Sequence, residues 1–281
     1  MRESGTSVPP SRVAQLLTLL IIPLAVIASA GGLFIPDLYR DPPGVLPAIK
    51  GQDLVTLVTL PVLAGVLLGA RRGSARATMA WMGLLGYVMY AYTGAAFAYR
   101  FNRFFLVYLV LFSLSVSALA AAIAGVDVAA IRNRFDPATP CRPIVVFLVL
   151  VAFMLAASEL GQIIPAMLGH QLPDLIARSE GMGNFVYVLD LGVVVPLAVL
   201  SAVWIGRARP WGFVLGGCLL IKAVTMGLAL LAATWFSVRA GRALERGLTI
   251  GYAAMTAAAI GLSVWFFRHC RVGKATAIQR G

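Results

Sequence analysis

The sequence predicts an all-α transmembrane protein: a single bundle of eight membrane-spanning helices, with the N-terminus and the C-terminus both cytoplasmic. Three observations predict it. Of 281 residues, 60% are hydrophobic and only 12% are charged, too little charge to cover a soluble surface. Mean hydropathy is +0.90, and the apolar residues gather into long runs separated by short polar breaks. The basic residues fall unequally on the two sides that those runs define.

The candidate spans run over residues 15–36, 52–70, 77–99, 103–125, 143–167, 184–206, 211–236 and 247–268. Each is long enough to cross about 30 Å of hydrocarbon at about 1.5 Å per residue. The first follows Arg2 and Arg12 and continues to about Pro36. Its length and the many spans that follow identify it as the first membrane helix and not a signal peptide; cleavage at Ala28–Ala30 is the alternative and leaves seven spans. Spans three and four are separated only by Tyr99-Arg100-Phe101-Asn102-Arg103, which predicts a tight hairpin. The longest connections, 37–51, 126–142 and 168–183, are too short to fold alone. They carry turn signals such as Asp41-Pro42-Pro43-Gly44 and Asp136-Pro137. Residues 1–14 and 269–281 are expected to be cytoplasmic tails, the second of them basic, around a membrane domain at 15–268.

Charge sets the orientation. With the N-terminus inside, the inner segments hold 14 of the 23 basic residues, among them Arg71, Arg72, Arg76, Arg132, Arg134, Arg207 and Arg209. The outer segments hold eight, and Lys222 lies within a span. Acids show the opposite bias: Asp37, Asp41, Asp53, Asp174, Glu180 and Glu245 are outer, whereas Glu3, Asp127 and Asp136 are inner. This matches a bacterial inner (plasma) membrane protein. The basic excess is explained by topology and anionic headgroups, so nucleic acid is not an expected partner and membrane lipids are.

Three ionisable side chains interrupt the apolar runs: Glu159, Asp190 and Lys222. Facing lipid, each would cost at least ~2.5 kcal/mol, so each is expected to face the bundle interior. At ~1.5 Å per residue, Glu159 and Asp190 both lie about 24 Å from the inner ends of their spans. Lys222 lies about 17 Å along its own span, with a stem able to reach either acid. Gln162 shares the face of Glu159 at i+3. Tyr90 on span three, Asn102 at the outer hairpin and Asp53 at the outer opening of span two reach the same layer. Together these seven residues outline a candidate ligand or ion site that opens outward. Pro196, six residues after Asp190, predicts a bent helix beside that acid. The bland reading is equally physical: a buried ion pair that fixes helix positions, an Asp53 at a helix start and an Asn102 that caps span four.

Common chemistries are absent. There is no HExxH, no Walker lysine loop and no GxSxG elbow. Only His170 and His269 are present, and Cys141, Cys218 and Cys270 are scattered, so neither a metal centre nor a disulfide framework is expected. No catalytic residue stands out, and no cofactor is specified. Lys222 on the penultimate span invites comparison with retinal Schiff-base lysines, but eight spans do not fit that pattern.

The segments Gly51-Gln52-Asp53-Leu54, Phe101-Asn102-Arg103-Phe104, Leu189-Asp190-Leu191-Gly192 and Arg209-Pro210-Trp211-Gly212 followed by Lys222 resemble a family of functionally uncharacterised bacterial multipass inner-membrane proteins. The resemblance covers most of the chain and implies the multipass architecture alone. From the residues themselves, the leading expectation is a small-solute or ion transporter. In it, Asp190 and Glu159 respond to protons or cations and Lys222 supplies the counter-charge. A membrane sensor or accessory subunit with a structural polar core, and a lipid- or quinone-directed membrane enzyme, remain alternatives. The sequence specifies no oligomeric state.

Overall fold

A computed structural model describes residues 11–139, 141–180 and 183–271. Most of the two expected tails therefore lies outside the described residues. The elements are α1 (Arg12–Phe34), α2 (Leu46–Arg71), α3 (Ala75–Phe97), α4 (Phe105–Ala124), the short α5 (Val128–Arg132), α6 (Cys141–Leu168), the short α7 (Asp174–Arg178), α8 (Asn184–Gly206), α9 (Pro210–Arg239) and α10 (Arg246–Arg268). Among the described residues there is no strand, only a single bridge between Phe135 and Cys270.

Seven of these helices are long and apolar enough to cross a membrane; the exception among the long helices is α3. The chain is an all-helical multipass membrane protein. Its outer faces carry large apolar side chains such as Leu16, Val58, Leu106, Phe153, Val188 and Ile250, each at least half exposed. Such faces suit hydrocarbon and not water.

The composition of α3 follows from its position. It packs against α2, α4 and α9 and also touches α8. Trp81, Leu85 and Tyr87 are fully buried on it. A helix enclosed by protein needs no apolar coat against lipid, so Gly83, Tyr87, Tyr90, Tyr92, Thr93 and Gly94 can lower its hydropathy. Ser74 caps its start by accepting from the Ala77 N–H at 3.3 Å. Its Trp81 indole donates to Thr18 of α1 at 3.1 Å. Close approaches lock α9 onto both α2 and α3. A Cβ on Gly51 would lie 2.5 Å from the Ala233 backbone nitrogen, and one on Gly83 would lie 2.8 Å from the Cys218 carbonyl oxygen.

One end of the bundle gathers both described chain ends. Ser11, just before α1, packs against Gly125 at the end of α4. At the far end of the chain, Arg271 donates its backbone N–H to Arg134 at 2.7 Å. Its guanidinium pairs with Asp136 at 2.9 Å. Arg76 ties the start of α3 to the same place through the Cys270 carbonyl at 2.5 Å.

Several boundaries differ from the sequence reading. The helix expected at 52–70 begins at Leu46 instead, with Pro47 in its first turn, where the missing N–H costs nothing. Asp53 therefore sits two turns inside α2 and is neither a cap nor a first-turn acid. Helix α9 runs to Arg239, three residues beyond its expected end.

Candidate functional site

The site grows from an irregularity in α8. Residues Asn184–Leu189 are α-helical, Asp190–Val194 form a π turn, and the α-helix resumes at Val195. Within the turn the Val195 N–H bonds to the Asp190 carbonyl. Pro196 explains it. Proline has no N–H to offer, and its ring crowds the carbonyl four residues earlier. Widening the turn relieves that crowding, and Gly192 has no side chain to obstruct it. Such π turns recur at functional positions.

The π turn begins at Asp190, which is 7% exposed. Its carboxylate interacts electrostatically with the Tyr90 hydroxyl from α3, the Glu159 carboxyl from α6 and Lys222 from α9. Glu159 is 6% exposed, and its Oε2 is buried without a hydrogen-bond partner. The Lys222 ammonium rests over the Tyr90 ring, with Nζ 3.9 Å from the centroid. A cation held over an aromatic face and shielded from water gains about 2 kcal/mol. Four side chains from four helices thus converge.

Nearby groups brace this cluster. Gln162 accepts from the Tyr187 hydroxyl at 3.2 Å and donates to the Ser158 carbonyl at 3.2 Å. Phe185 leans on Tyr90, with ring centroids 6.4 Å apart. It can do so because Gly94 has no side chain: a Cβ there would lie 2.7 Å from the Phe185 ring. Thr225 donates to the Lys222 carbonyl at 2.9 Å.

The other two expected site residues lie elsewhere. Asp53 accepts from the Tyr39 hydroxyl at 2.6 Å, and both groups press against the backbone of Gly32 on α1. Tyr39 packs edge-on against Tyr99, and Tyr99 against Tyr108. Tyr92 stacks beside Tyr108 and lies 3.2 Å from Ser29. Asn102 belongs to the turn before α4, where its Oδ1 accepts from the Phe104 N–H at 2.9 Å. Asp53 thus anchors a second polar cluster among α1–α4, on the other side of α3 from Asp190. The single pocket read from the sequence is two groups separated by one helix.

Sequence reasoning missed Tyr187, Phe185, Tyr39, Tyr99 and Tyr108. Tyr187 was findable, because it precedes Asp190 by three residues and shares its helical face. Tyr39 sits in a connection with no periodicity to reveal its direction. Burial beside Asp53 holds the Tyr39 hydroxyl above its ordinary range, so it remains a donor to the carboxylate.

Among the described residues no group of three or more His, Cys, Asp or Glu gathers as a metal site. The acid–lysine cluster can exchange protons, accept a cation or hold helices together. No family model, curated protein or solved structure matches this chain, so its geometry and chemistry are the grounds for a functional reading.

Proposed function

We propose that this protein is a small-solute or ion transporter of a bacterial inner membrane, with the Glu159–Asp190–Lys222 cluster as its working site. One observation carries the reading. Two acids and a lysine from three helices converge in an otherwise apolar bundle, beside a π turn, with one buried carboxyl oxygen left without a partner. Charges inside membrane helices are costly and mark ion or proton pathways. Protonating one carboxylate removes its attraction for Lys222 and frees the cluster to rearrange. That rearrangement is the step transport needs.

The proposed topology has eight spans and two cytoplasmic termini. It is supported by Ser11 packing on Gly125 and Arg271 bonding to Arg134, both in the connection after α4, which puts the two described ends on one side and fits an even number of crossings. With 23 residues, α3 reaches about 35 Å at 1.5 Å per residue and supplies the eighth crossing. The basic bias of the 125–140 and 207–209 connections supports a cytoplasmic position for that end. Membership of the uncharacterised bacterial family rests on the segments quoted above.

The test uses the full chain in proteoliposomes loaded with a pH-sensitive dye and exposed in turn to salts, amines, organic acids and neutral solutes. At least one class is expected to move the internal pH in the wild type and to lose that effect in Glu159→Gln, Asp190→Asn and Lys222→Met. Unchanged flux in all three folded variants sinks the proposal.

The burial of both acids, at 6–7% exposure, favours a second reading: a structural cluster in a sensor or accessory subunit. Under it, the three variants lower thermal stability while the wild type moves no solute.

A further inference from the structure

We propose that the Glu159–Asp190 pair is an exchange site at which one monovalent cation replaces one proton. This rests on the transport reading above and names its coupling chemistry.

Charge balance is the first argument. With both acids ionised and Lys222 charged, the cluster carries one excess negative charge. A single added positive charge brings it to neutrality. A divalent ion overshoots and an anion worsens the imbalance. Uncompensated charge inside a membrane helix is costly, so the cluster is most stable with one positive occupant. A proton serves, and so does a monovalent cation. Exchange of one for the other leaves the buried charge unchanged.

The groups around the pair are the second argument. The titratable groups facing Glu159 are Asp190 and Tyr187 from α8 and Tyr90 from α3. Lys222 from α9 acts on Asp190. Tyr90 can donate to Asp190, and the Gln162 amide oxygen keeps a lone pair beyond the one used by Tyr187. Oε2 of Glu159 is buried with no hydrogen-bond partner. Just after the π turn, Pro196 supplies no N–H to the carbonyls before it. Carboxylate and amide oxygens, with no group of three His, Cys, Asp or Glu among the described residues, suit a hard monovalent ion and not a transition metal. The step is balanced: the cation binds the two carboxylates and the carboxyl proton leaves to water.

The purified full-length protein in weakly buffered detergent solution, with a pH dye, tests this directly. LiCl, NaCl, KCl and methylammonium chloride are added separately, with choline chloride as the bulky control. At least one of the four is expected to release about one proton per chain, choline none, and Glu159→Gln or Asp190→Asn to abolish the release while retaining the wild-type thermal transition. Arg207→Gln, at the far end of α8, keeps it. Release of no proton by any of the four salts, equal release by choline, or undiminished release from folded Glu159→Gln overturns the inference. In proteoliposomes, salt-driven pH change that is insensitive to clamping the membrane potential supports it. Acid-dependent coupling to a neutral solute or an anion alone overturns it and leaves the transport reading standing. No coupled flux of any kind removes both.

Discussion

Gly51 faces the backbone of α9, and replacing it with alanine tests how tightly the bundle is built. The added Cβ would lie 2.5 Å from the Ala233 nitrogen, 2.8 Å from its Cα and 2.9 Å from the Ala229 carbonyl oxygen. All three are backbone atoms, so no rotamer change relieves the clash. Opening the 2.5 Å approach to the 3.4 Å of ordinary contact requires α2 and α9 to part by about 0.9 Å. Overpacking of this kind costs about 1–3 kcal/mol, and the helix propensity gained on replacing glycine returns about 1 kcal/mol. The expected net effect of Gly51→Ala is a loss of about 0–2 kcal/mol, and a larger deficit against a control that keeps the propensity gain. Gly161 on α6 is the control. A Cβ there meets nothing within 4 Å, so Gly161→Ala keeps only the propensity gain. The assay is the thermal transition of the detergent-solubilised chain followed by tryptophan fluorescence, at one scan rate for all samples. The midpoint should fall for Gly51→Ala and hold or rise for Gly161→Ala. A Gly51→Ala protein as stable as Gly161→Ala would refute the close approach of α2 and α9.

Three further outcomes are expected. Tyr39→Phe removes the hydroxyl that donates to Asp53 and should cost about 1.5–3 kcal/mol, read as a lowered thermal midpoint that Tyr252→Phe does not reproduce. Ser74→Ala removes the side-chain cap of α3 and should cost about 1 kcal/mol, with faster amide exchange over residues 75–78. The two ends of the bundle should respond oppositely to acid. Burial holds Asp41 above the ordinary aspartate range against the pull of Arg100. The folded state therefore takes up its proton first, and this contribution to stability grows as pH falls. The backbone N–H of Ala138 and the guanidinium of Arg271 hold Asp136 below that range. Its contribution is present at neutral pH and is lost as pH falls through the lowered value. Hydrogen exchange below the usual aspartate range should show the Arg134–Arg271 contact loosening while the Asp41–Arg100 turn tightens, and Asp41→Asn and Asp136→Asn should each remove its own trend.

What the sequence made legible follows from what periodicity encodes. Apolar run length located all the long helices to within a few residues, apart from the early start of α2 at Leu46. The reason for that miss is local: Lys50 read as part of the 37–51 connection and Asp53 as the opening of the span, yet Asp53 is buried by Tyr39 and Gly32 from outside its own helix. Distance along a helix brought Glu159 and Asp190 into one layer with Lys222 in reach of them, and Tyr90 does join them there. The same arithmetic gives depth without azimuth. It could not say that α3 stands between Asp190 and Asp53, because which helices are neighbours depends on contacts distant in sequence. The π turn at Asp190–Val194 was foreshadowed by Pro196 as a bend, but its hydrogen-bond pattern is a property of the folded backbone.

The modest hydropathy of α3 has a consequence for how the chain is made. Helices enter a membrane as they leave the ribosome, and each is offered to lipid before its eventual neighbours exist. Helix α3, with its tyrosines and glycines, has the weakest claim on lipid of the long helices. The strongly apolar α4 follows after only the seven residues between Phe97 and Phe105, and the two pack together along their length. Insertion of α3 is therefore a joint event with α4, and lengthening their connection with a polar segment should strand α3 in water. The helix that lies between the two polar clusters is also the one whose arrival in the bilayer has to wait for a partner.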